Sequence, residues 1–263
     1  MSGERFVLFD FGHTLVDFRR VPAALFAAYG EIRNRLIREA HHEVPETEDL
    51  ARQITDAMDA LVRRSYEEAR IQELDVVELL TEAFAGIGVH LPPTLARELA
   101  VLDHRAFSGS IAVPQATIGV LEALREREVG MGLVSNITLM PHLLRADLEA
   151  LGLAPFLAAT AFSSEFGWRK PDRRIFEHVL SGLGARPTQA AFVGDRLYDD
   201  IGGAQKVGMR TVLTRQFRNE LDGAERAEAL AAGGDVVATL EPDAAIDTLE
   251  DLPAVLAGWG WWN

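Results

Sequence analysis

Polar side chains suited to phosphoryl-transfer chemistry follow apolar runs at three points of the chain. Asp10, Ser135 and Asp195 each end, or come directly after, a short apolar run. Because ligands bind outside the carboxyl ends of parallel strands, we expect these side chains to meet at one edge of a sheet. A strand-end carboxylate such as Asp10 can attack phosphorus and form an aspartyl phosphate.

A second group of residues is suited to holding a phosphoryl group. The Ser135 hydroxyl and the backbone N–H groups around Asn136 can bind a phosphoryl oxygen, although Ser and Asn also commonly cap helices. Lys170 lies in a loop bounded by Gly and Pro, and the chain has only one other lysine, Lys206. A lysine in such a loop can neutralise the charge of both a nucleophile and a transferring phosphoryl group.

Acidic residues cluster after the third apolar run. Asp199 and Asp200 follow Asp195 by about one helical turn, so at least one of them can face the same point. Together with Asp10 these carboxylates would repel one another strongly without a cation, and they suit Mg²⁺, which prefers few protein ligands. The alternative to a metal site is that these acids lie at a helix N-terminus, where the helix dipole stabilises negative charge. The spacing leaves open whether Asp199 or Asp200 is the second acid of a metal site.

The elements that would position these residues alternate between strand and helix. Strands are predicted at 6–9, 131–135, 190–194 and 211–214, with a weaker one at 158–162 and an edge strand that includes Ala245 and Ile246. Helices are predicted at 116–128, 138–151, 173–183 and 200–207 and near 249–257. This alternation is typical of an α/β fold with a Rossmann-like parallel sheet that is buried on both faces.

The strand signal vanishes between residues 18 and 112. Apolar spacings of three and four predict helices at 21–40, 47–66, 72–86 and 94–106. We therefore predict two domains. Residues 1–17 and 113–263 form the core domain, and residues 18–112 form an all-helical cap domain inserted after the first strand.

Composition excludes several classes of partner. A net charge of −14 and a pI near 4.9 predict repulsion from nucleic acid and from anionic membranes. The chain has no cysteine for a disulfide or a thiolate metal site. No apolar run approaches the length of a membrane span, and the run before Asp10 is too short for a secretory signal. We expect a cytoplasmic monomer or homodimer whose partner is a small phosphorylated metabolite.

The segments around Asp10, Ser135, Lys170 and Asp195, in this order, resemble the motifs of the haloacid dehalogenase-like (HAD) hydrolase superfamily, and the helical insertion resembles its C1-type cap. The resemblance implies that Asp10 is the nucleophile. It also implies that Asp10, the backbone carbonyl of Gly12 and Asp195 bind Mg²⁺ directly, and that Asp200 acts through water or by holding Lys170.

The same resemblance assigns the substrate contacts. It implies that Thr14, Ser135 and Lys170 hold the phosphoryl group, with Asn136 beside them. His13 lies in the turn after the nucleophile, where the superfamily usually has Gly, so its side chain is expected to crowd or line the site.

One position departs from the pattern. Phosphatases of this superfamily place a second Asp, which protonates the leaving oxygen, two residues after the nucleophile, and this chain has Gly12 there. A phosphohydrolase would then need His13 or a cap residue as the acid, and Gly12→Asp should favour alkyl phosphates if the cap leaves room. The alternatives are a catalytically weak protein that binds a phosphometabolite or a partner, and a 2-haloacid dehalogenase. A phosphonatase needs a cap lysine, and residues 18–112 contain none.

Overall fold

The computed structural model describes residues 4–19, 21–39, 44–217 and 240–262. Six strands form one sheet in which every pairing is parallel. They are β1 (Phe6–Phe9), β4 (Gly130–Ser135), β5 (Ala159–Phe162), β6 (Ala190–Gly194), β7 (Arg210–Thr214) and β8 (Ala244–Ile246). Their spatial order is β5-β4-β1-β6-β7-β8.

The sheet places the first strand at its centre. Phe9 of β1 is in register with Leu133 of β4 on one side and with Val193 of β6 on the other. The chain fills one half of the sheet after β1 and the other half after β5, so the connections diverge at the carboxyl end of β1. A ligand crevice is expected at such a switch point. The predicted Rossmann-like α/β core is confirmed.

Helices cover both faces of the sheet. They are α5 (Gln115–Glu126), α6 (Pro141–Ala150), α7 (Ser163–Phe166), α8 (Arg173–Gly182), α9 (Gly203–Val207) and α10 (Leu252–Gly258). Because side chains alternate along a strand, Val7 and Phe9 join the core under α5, α6 and α10, whereas Phe6 and Leu8 join the core under α8. Trp261 is buried in the first of these cores, so the tryptophans near the C-terminus pack on the sheet domain.

Four helices form a separate insertion between β1 and β4. They are α1 (Pro22–Arg38), α2 (Thr47–Glu67), α3 (Val76–Gly86) and α4 (Pro93–Ser108), which we call the helical insertion. Tyr29, Ile32, Leu80, Phe84 and Leu99 belong to its own buried cluster, distinct from the two cores of the sheet. Within the described residues between 21 and 108 the structure has no named strand, as the sequence predicts.

The two connections of the insertion pair with each other. β2 (Asp17–Phe18) and β3 (Ile111–Ala112) form a short antiparallel ribbon. The sequence analysis missed this ribbon, because two residues are too few to show a periodicity.

Helix starts differ from the predictions for local reasons. The helix predicted from 138 begins at Pro141, whose fixed φ suits the first helical position. The helix predicted from 72 begins at Val76, because the Asp75 carboxylate accepts hydrogen bonds from the backbone N–H groups of Val77 and Glu78. The helix predicted at 200–207 consists of a π-helical turn, Leu197–Gly202, followed by α9.

No helix among the described residues is long and apolar enough to cross a membrane.

Candidate active site

Lys170 lies between two buried carboxylates at the carboxyl ends of the central strands. Its Nζ is 2.5 Å from Asp10 Oδ1 and 2.7 Å from Asp200 Oδ1. All three side chains are almost inaccessible to solvent. The ammonium also lies 5.4 Å from the centre of the Phe192 ring. A buried ammonium with two carboxylate partners is held in one place and stays charged.

Burial and the neighbouring opposite charge shift the pKa values of Asp10 and Lys170 in opposite directions. The pKa of Asp10 is raised to about 6, because burial and the Asp200 carboxylate raise it by more than the Lys170 ammonium lowers it. Burial lowers the pKa of Lys170, but Asp10 and Asp200 outweigh burial and raise it above the ordinary lysine value. Asp10 is therefore short of positive charge, and a further cation beside it would favour its ionised form.

A third carboxylate completes the cluster. One oxygen from each of Asp10, Asp195 and Asp200 lies within 4.8 Å of the others, and all three residues are buried. Three carboxylates and one ammonium give these four groups a formal charge of −2 when all are ionised. Oxygen donors in this number and spacing fit a divalent cation such as Mg²⁺.

Of Asp199 and Asp200, it is Asp200 that joins Asp10 and Asp195 in the cluster. Its Oδ2 accepts a hydrogen bond from the backbone N–H of Arg196 at 3.0 Å, so the carboxylate is fixed at both oxygens. A Cβ on Gly194 would lie 2.3 Å from Asp200 Oδ2, so only glycine permits this approach. Asp199 faces elsewhere, with Oδ2 3.3 Å from Asn136 Nδ2 and 3.4 Å from Arg196 Nε.

Asn136 holds the backbone of Lys170. Its Oδ1 accepts a hydrogen bond from the Lys170 N–H at 2.7 Å, and its Nδ2 donates to the Lys170 carbonyl at 3.0 Å. Ser135 is buried at the end of β4 and lines the same cavity as Asp10 and Lys170. Thr14 is fully buried beside the turn and does not line the cavity, and its Oγ1 has no hydrogen-bond partner among the described residues.

Phe18 occupies the space beside Gly12. A Cβ built on Gly12 would lie 2.2 Å from Cε2 and 2.8 Å from Cζ of the Phe18 ring, so any side chain at position 12 must displace that ring. Phe18 is wedged in turn against His13, with ring centres 4.9 Å apart, and against Phe107 at 5.5 Å. An Asp side chain at position 12 therefore does not fit while Phe18 keeps this position.

His13 lines the cavity, as expected for a side chain in the nucleophile turn. Its φ of 57° lies in the left-handed region, which few residues other than glycine adopt. Its backbone N–H donates to the Val16 carbonyl at 2.8 Å, which closes the turn after Asp10.

The helical insertion covers the carboxyl edge of the sheet, and a cavity of about 690 Å³ lies between them. The floor of the cavity includes Asp10, Ser135 and Lys170, and its far walls come from α1, α2 and α4. A polar floor under a largely apolar chamber is the usual form of a small-molecule site.

A buried polar network ties the insertion to the Lys170 loop, and sequence reasoning missed it. Glu73 Oε1 accepts hydrogen bonds from Arg169 Nε at 2.9 Å and from Thr138 Oγ1 at 2.8 Å, and its Oε2 accepts from Ser163 Oγ at 2.5 Å. Arg169 Nη1 donates to Ser65 Oγ of α2 at 2.8 Å. The one available signal was a second basic residue directly before Lys170.

The backbone reinforces this contact. The Arg169 N–H donates to the Ile71 carbonyl at 2.8 Å, and the Glu73 N–H donates to the Gly167 carbonyl at 3.1 Å. An isolated antiparallel bridge joins Gln72 to Trp168 between them. The loop that carries Lys170 is thus fastened to the insertion immediately before the lysine.

The family-model comparison decides the family. A model described as haloacid dehalogenase-like hydrolase matches residues 5–208, and an HAD-hydrolase-like model matches residues 167–252. The chain belongs to the haloacid dehalogenase-like hydrolases. The recognition made from the sequence motifs is confirmed at the level of this family.

Several of the curated proteins that this chain resembles are named phosphatases. The chain is 35% identical over 132 residues to a ribulose-1,5-bisphosphate 5-phosphatase of Halopiger xanaduensis, and the matched region is 50% of this chain and 52% of that protein. It is 37% identical over 120 residues to a phosphoserine phosphatase of Thermus thermophilus, and the matched region is 46% of this chain and 47% of that protein. The chain thus spans about half the length of the curated relatives it matches.

The fold is also that of a protein named for a different reaction. A 2-haloacid dehalogenase from Pseudomonas syringae superposes with a TM-score of 0.64 and 24% identity, covering 97% of this chain and 99% of the other. This likeness shows the fold alone, so the haloacid dehalogenase-like hydrolase fold does not choose between carbon–halogen and phosphate ester bonds.

Arg169 should be essential to stability. Arg169→Met leaves Glu73 buried without its cation, and removing one partner of a buried ion pair typically costs about 3–5 kcal/mol. Chemical denaturation should show a loss of this size in the free energy of unfolding. The control is Arg145→Met, which removes an exposed ion pair with Glu165 and should cost less than about 1 kcal/mol. Equal losses in the two variants would contradict a structural role for the Glu73–Arg169 pair.

Proposed function

We propose that this protein is a Mg²⁺-dependent phosphohydrolase that acts on a small phosphorylated metabolite through an aspartyl-phosphate intermediate. The observation that carries the proposal is the buried cluster of Asp10, Asp195 and Asp200, beside Lys170 at the floor of the cavity. The phosphatase relatives support the same class of reaction.

In the proposed reaction Asp10 attacks phosphorus. An oxygen of its carboxylate forms a bond to phosphorus while the ester P–O bond breaks, and the electron pair leaves with the alcohol oxygen. Water then attacks phosphorus and loses a proton to solvent while the bond from phosphorus to the Asp10 oxygen breaks. Inorganic phosphate leaves, and the Asp10 carboxylate is regenerated. Lys170 is positioned to offset the negative charge of the nucleophile and of the phosphoryl oxygens, because its Nζ already contacts Asp10.

The cation would be held by the Asp10 and Asp195 carboxylates and the Gly12 carbonyl, with Asp200 behind them. When bound, Mg²⁺ supplies positive charge that offsets phosphoryl oxygens. Asp200 has a second task in this proposal, because it holds Lys170 at 2.7 Å on the side away from the cavity. Ser135, at the end of the neighbouring strand β4, would bind a phosphoryl oxygen. Asn136 would act by holding the Lys170 loop.

The proposed reaction needs a proton for the leaving oxygen, which the superfamily pattern assigns to an Asp at position 12. Gly12 offers no acid, and Phe18 fills the space that an acid there would need. His13 lies in the same turn and lines the cavity, and histidine titrates in the range that suits proton transfer at neutral pH. We propose His13 as the acid for unactivated substrates.

The helical insertion is proposed to act as a cap, with residues 18–112 as its extent and residues 1–17 and 113–263 as the catalytic core. Its own buried cluster and its paired connections support this division. A cap over the Asp10 site would exclude water and supply the contacts that select the substrate. A dehalogenase needs no metal, so the three-carboxylate cluster favours the phosphohydrolase over that alternative.

Asp10→Asn tests the nucleophile. The change removes the attacking carboxylate but keeps the size of the side chain, so turnover of a generic aryl phosphate should fall at least about a thousandfold. Asp247→Asn, which alters a carboxylate whose side chain is 86% exposed, serves as the control and should keep wild-type rates. An Asp10→Asn variant that folds and retains a substantial fraction of wild-type turnover would rule out Asp10 as the nucleophile.

Removal of the metal tests the cation. EDTA should abolish aryl phosphate hydrolysis, and added Mg²⁺ should restore it. Mg²⁺ should also raise Tm of the wild type, because a ligand that binds only the folded state stabilises it, and Asp195→Asn should reduce that increase. Full activity in EDTA would move the protein toward the dehalogenase alternative, which halide release from a 2-haloacid would then confirm.

Room for an acid at position 12 is testable with paired changes. Gly12→Asp alone should gain nothing on alkyl phosphates, because its Cβ meets the Phe18 ring. Gly12→Asp combined with Phe18→Ala opens that space and should raise alkyl phosphate turnover, since general acid catalysis typically contributes about 10²–10⁴-fold. Phe18→Ala alone is the control.

His13→Ala completes this test. It should slow alkyl phosphates more than aryl phosphates with an acidic leaving phenol, which barely need the proton. A wild type that is fast on alkyl phosphates and indifferent to His13→Ala would point to an acid in the insertion instead.

A further inference from the structure

A single carboxylate of the helical insertion reaches three loops of the sheet domain. Glu73 lies in the connection between α2 and α3, and its side chain is only 3% exposed. Its Oε1 accepts hydrogen bonds from Arg169 and Thr138, and its Oε2 accepts one from Ser163. Thr138 comes after β4, and Ser163 comes directly after β5. Arg169 directly precedes Lys170.

The loop after β4 carries Asn136, and Glu73 also reaches it through a second hydroxyl. The Ser163 hydroxyl donates to Glu73 and accepts a hydrogen bond from the Ile137 backbone N–H at 2.8 Å. Asn136, the residue before Ile137, holds both the N–H and the carbonyl of Lys170. Glu73 therefore acts on the Lys170 backbone by two routes, one through the loop after β4 and one through the residue before the lysine.

The contacts of Glu73 suit it to hold these loops rather than to take part in the chemistry. Both of its carboxylate oxygens accept hydrogen bonds from the protein, and its charge is paired with Arg169, whose side chain is 1% exposed. Arg169 is fixed from the insertion by Ser65 and by the Tyr66 ring, whose centre lies 4.5 Å from the guanidinium carbon. Charge-assisted hydrogen bonds of this kind are strong and geometrically specific.

We propose that Glu73 is a positioning residue of the phosphate site, which fixes the loops of Asn136 and Lys170 and makes the geometry of the floor depend on the helical insertion. This inference rests on the proposed phosphohydrolase function and adds a residue of the insertion to its machinery. One consequence is specific. Even a phosphorylated substrate too short to touch the walls of the insertion should need Glu73.

Glu73→Gln tests this consequence. The change keeps the size of the side chain, removes the charge that pairs with Arg169 and replaces an acceptor by a donor. Since a misplacement of about 1 Å can cost about a hundredfold in rate, kcat/KM should fall at least about tenfold. The fall should be the same for acetyl phosphate and for a bulky aryl phosphate. No fall, or a fall confined to the aryl phosphate, would overturn the inference.

A double-mutant cycle separates positioning from general stabilisation. Asn136→Ala disturbs the same backbone of Lys170, so Glu73→Gln should add little to it. The loss of kcat/KM in the combined variant should be smaller than the product of the two single losses by at least about threefold, because residues that share a network are not additive. Losses that multiply would contradict the proposal.

Another buried pair offers a matched control for this cycle. His104 Nε2 of α4 is 2.8 Å from Asp147 Oδ2 of α6, so this pair also joins the insertion to the sheet domain. Neither residue belongs to the described lining of the cavity. The loss caused by Asp147→Asn should therefore multiply with the loss caused by Asn136→Ala. Equal coupling in the two cycles would reduce Glu73 to a general contact between the domains.

A paired variant keeps the test decisive if Glu73→Gln does not fold. Glu73→Leu combined with Arg169→Met removes both charges, and replacing a buried ion pair by apolar side chains is often neutral or stabilising. The pair still loses the hydrogen bonds to Thr138 and Ser163, so kcat/KM for acetyl phosphate should fall. A folded double variant with wild-type kcat/KM would refute the positioning role.

Binding distinguishes this inference from the proposed function. Calorimetry with inorganic phosphate and Mg²⁺ needs no turnover. If no phosphate ester is hydrolysed but Glu73→Gln weakens phosphate binding and Asp147→Asn does not, the phosphohydrolase proposal fails and the positioning role stands. If the wild type hydrolyses aryl phosphates and Glu73→Gln binds phosphate and turns over like the wild type, the positioning role fails alone.

Discussion

The buried ion pair between Lys170 and the carboxylates of Asp10 and Asp200 is the constraint on which the rest of the site depends. Taking three charges out of water is costly, and the cost is offset only when the geometry is fixed and the groups are paired. The fold supplies that geometry from separate elements. Asp10 follows the central strand β1, Asp200 lies in a π-helical turn after β6, and Lys170 comes from a loop held by Asn136 and by the Glu73–Arg169 network.

In the proposed function, the same cluster accounts for how an acidic protein would attract a phosphate. A chain with a net charge of −14 repels anions at long range, so the positive charge must be local. Lys170 alone does not balance three carboxylates, and burial and the Asp200 carboxylate together keep the pKa of Asp10 raised to about 6. A divalent cation would complete the balance and favour the ionised nucleophile, which is why the metal and the aspartyl phosphate belong to one proposal.

The sequence predicted the parts of the fold that have strong local signals. The apolar run at 6–9 is β1 with the same bounds, and the helices of the insertion follow from their apolar spacing. The choice between Asp199 and Asp200 could not be made, because the π-helical turn changes which side chains share a face and an ideal helix does not anticipate it.

Contacts between distant segments were beyond the reach of sequence patterns. Glu73 and Arg169 are 96 residues apart, and neither position has a spacing that indicates the other. The steric relation of Gly12 to Phe18 is similar, because the ring reaches position 12 only through the ribbon that pairs β2 with β3. Both features shape the candidate site, and both needed the three-dimensional arrangement.

The central claim is that Asp10 forms a covalent bond to phosphorus, and trapping that bond tests it most directly. Borohydride reduces an aspartyl phosphate to homoserine, so protein quenched during turnover of an aryl phosphate can be reduced, digested and mapped by mass spectrometry. The account predicts homoserine at position 10 in the presence of substrate and Mg²⁺, and unmodified Asp10 when substrate is omitted. Homoserine at another aspartate, or steady turnover with none formed at any position, would contradict it.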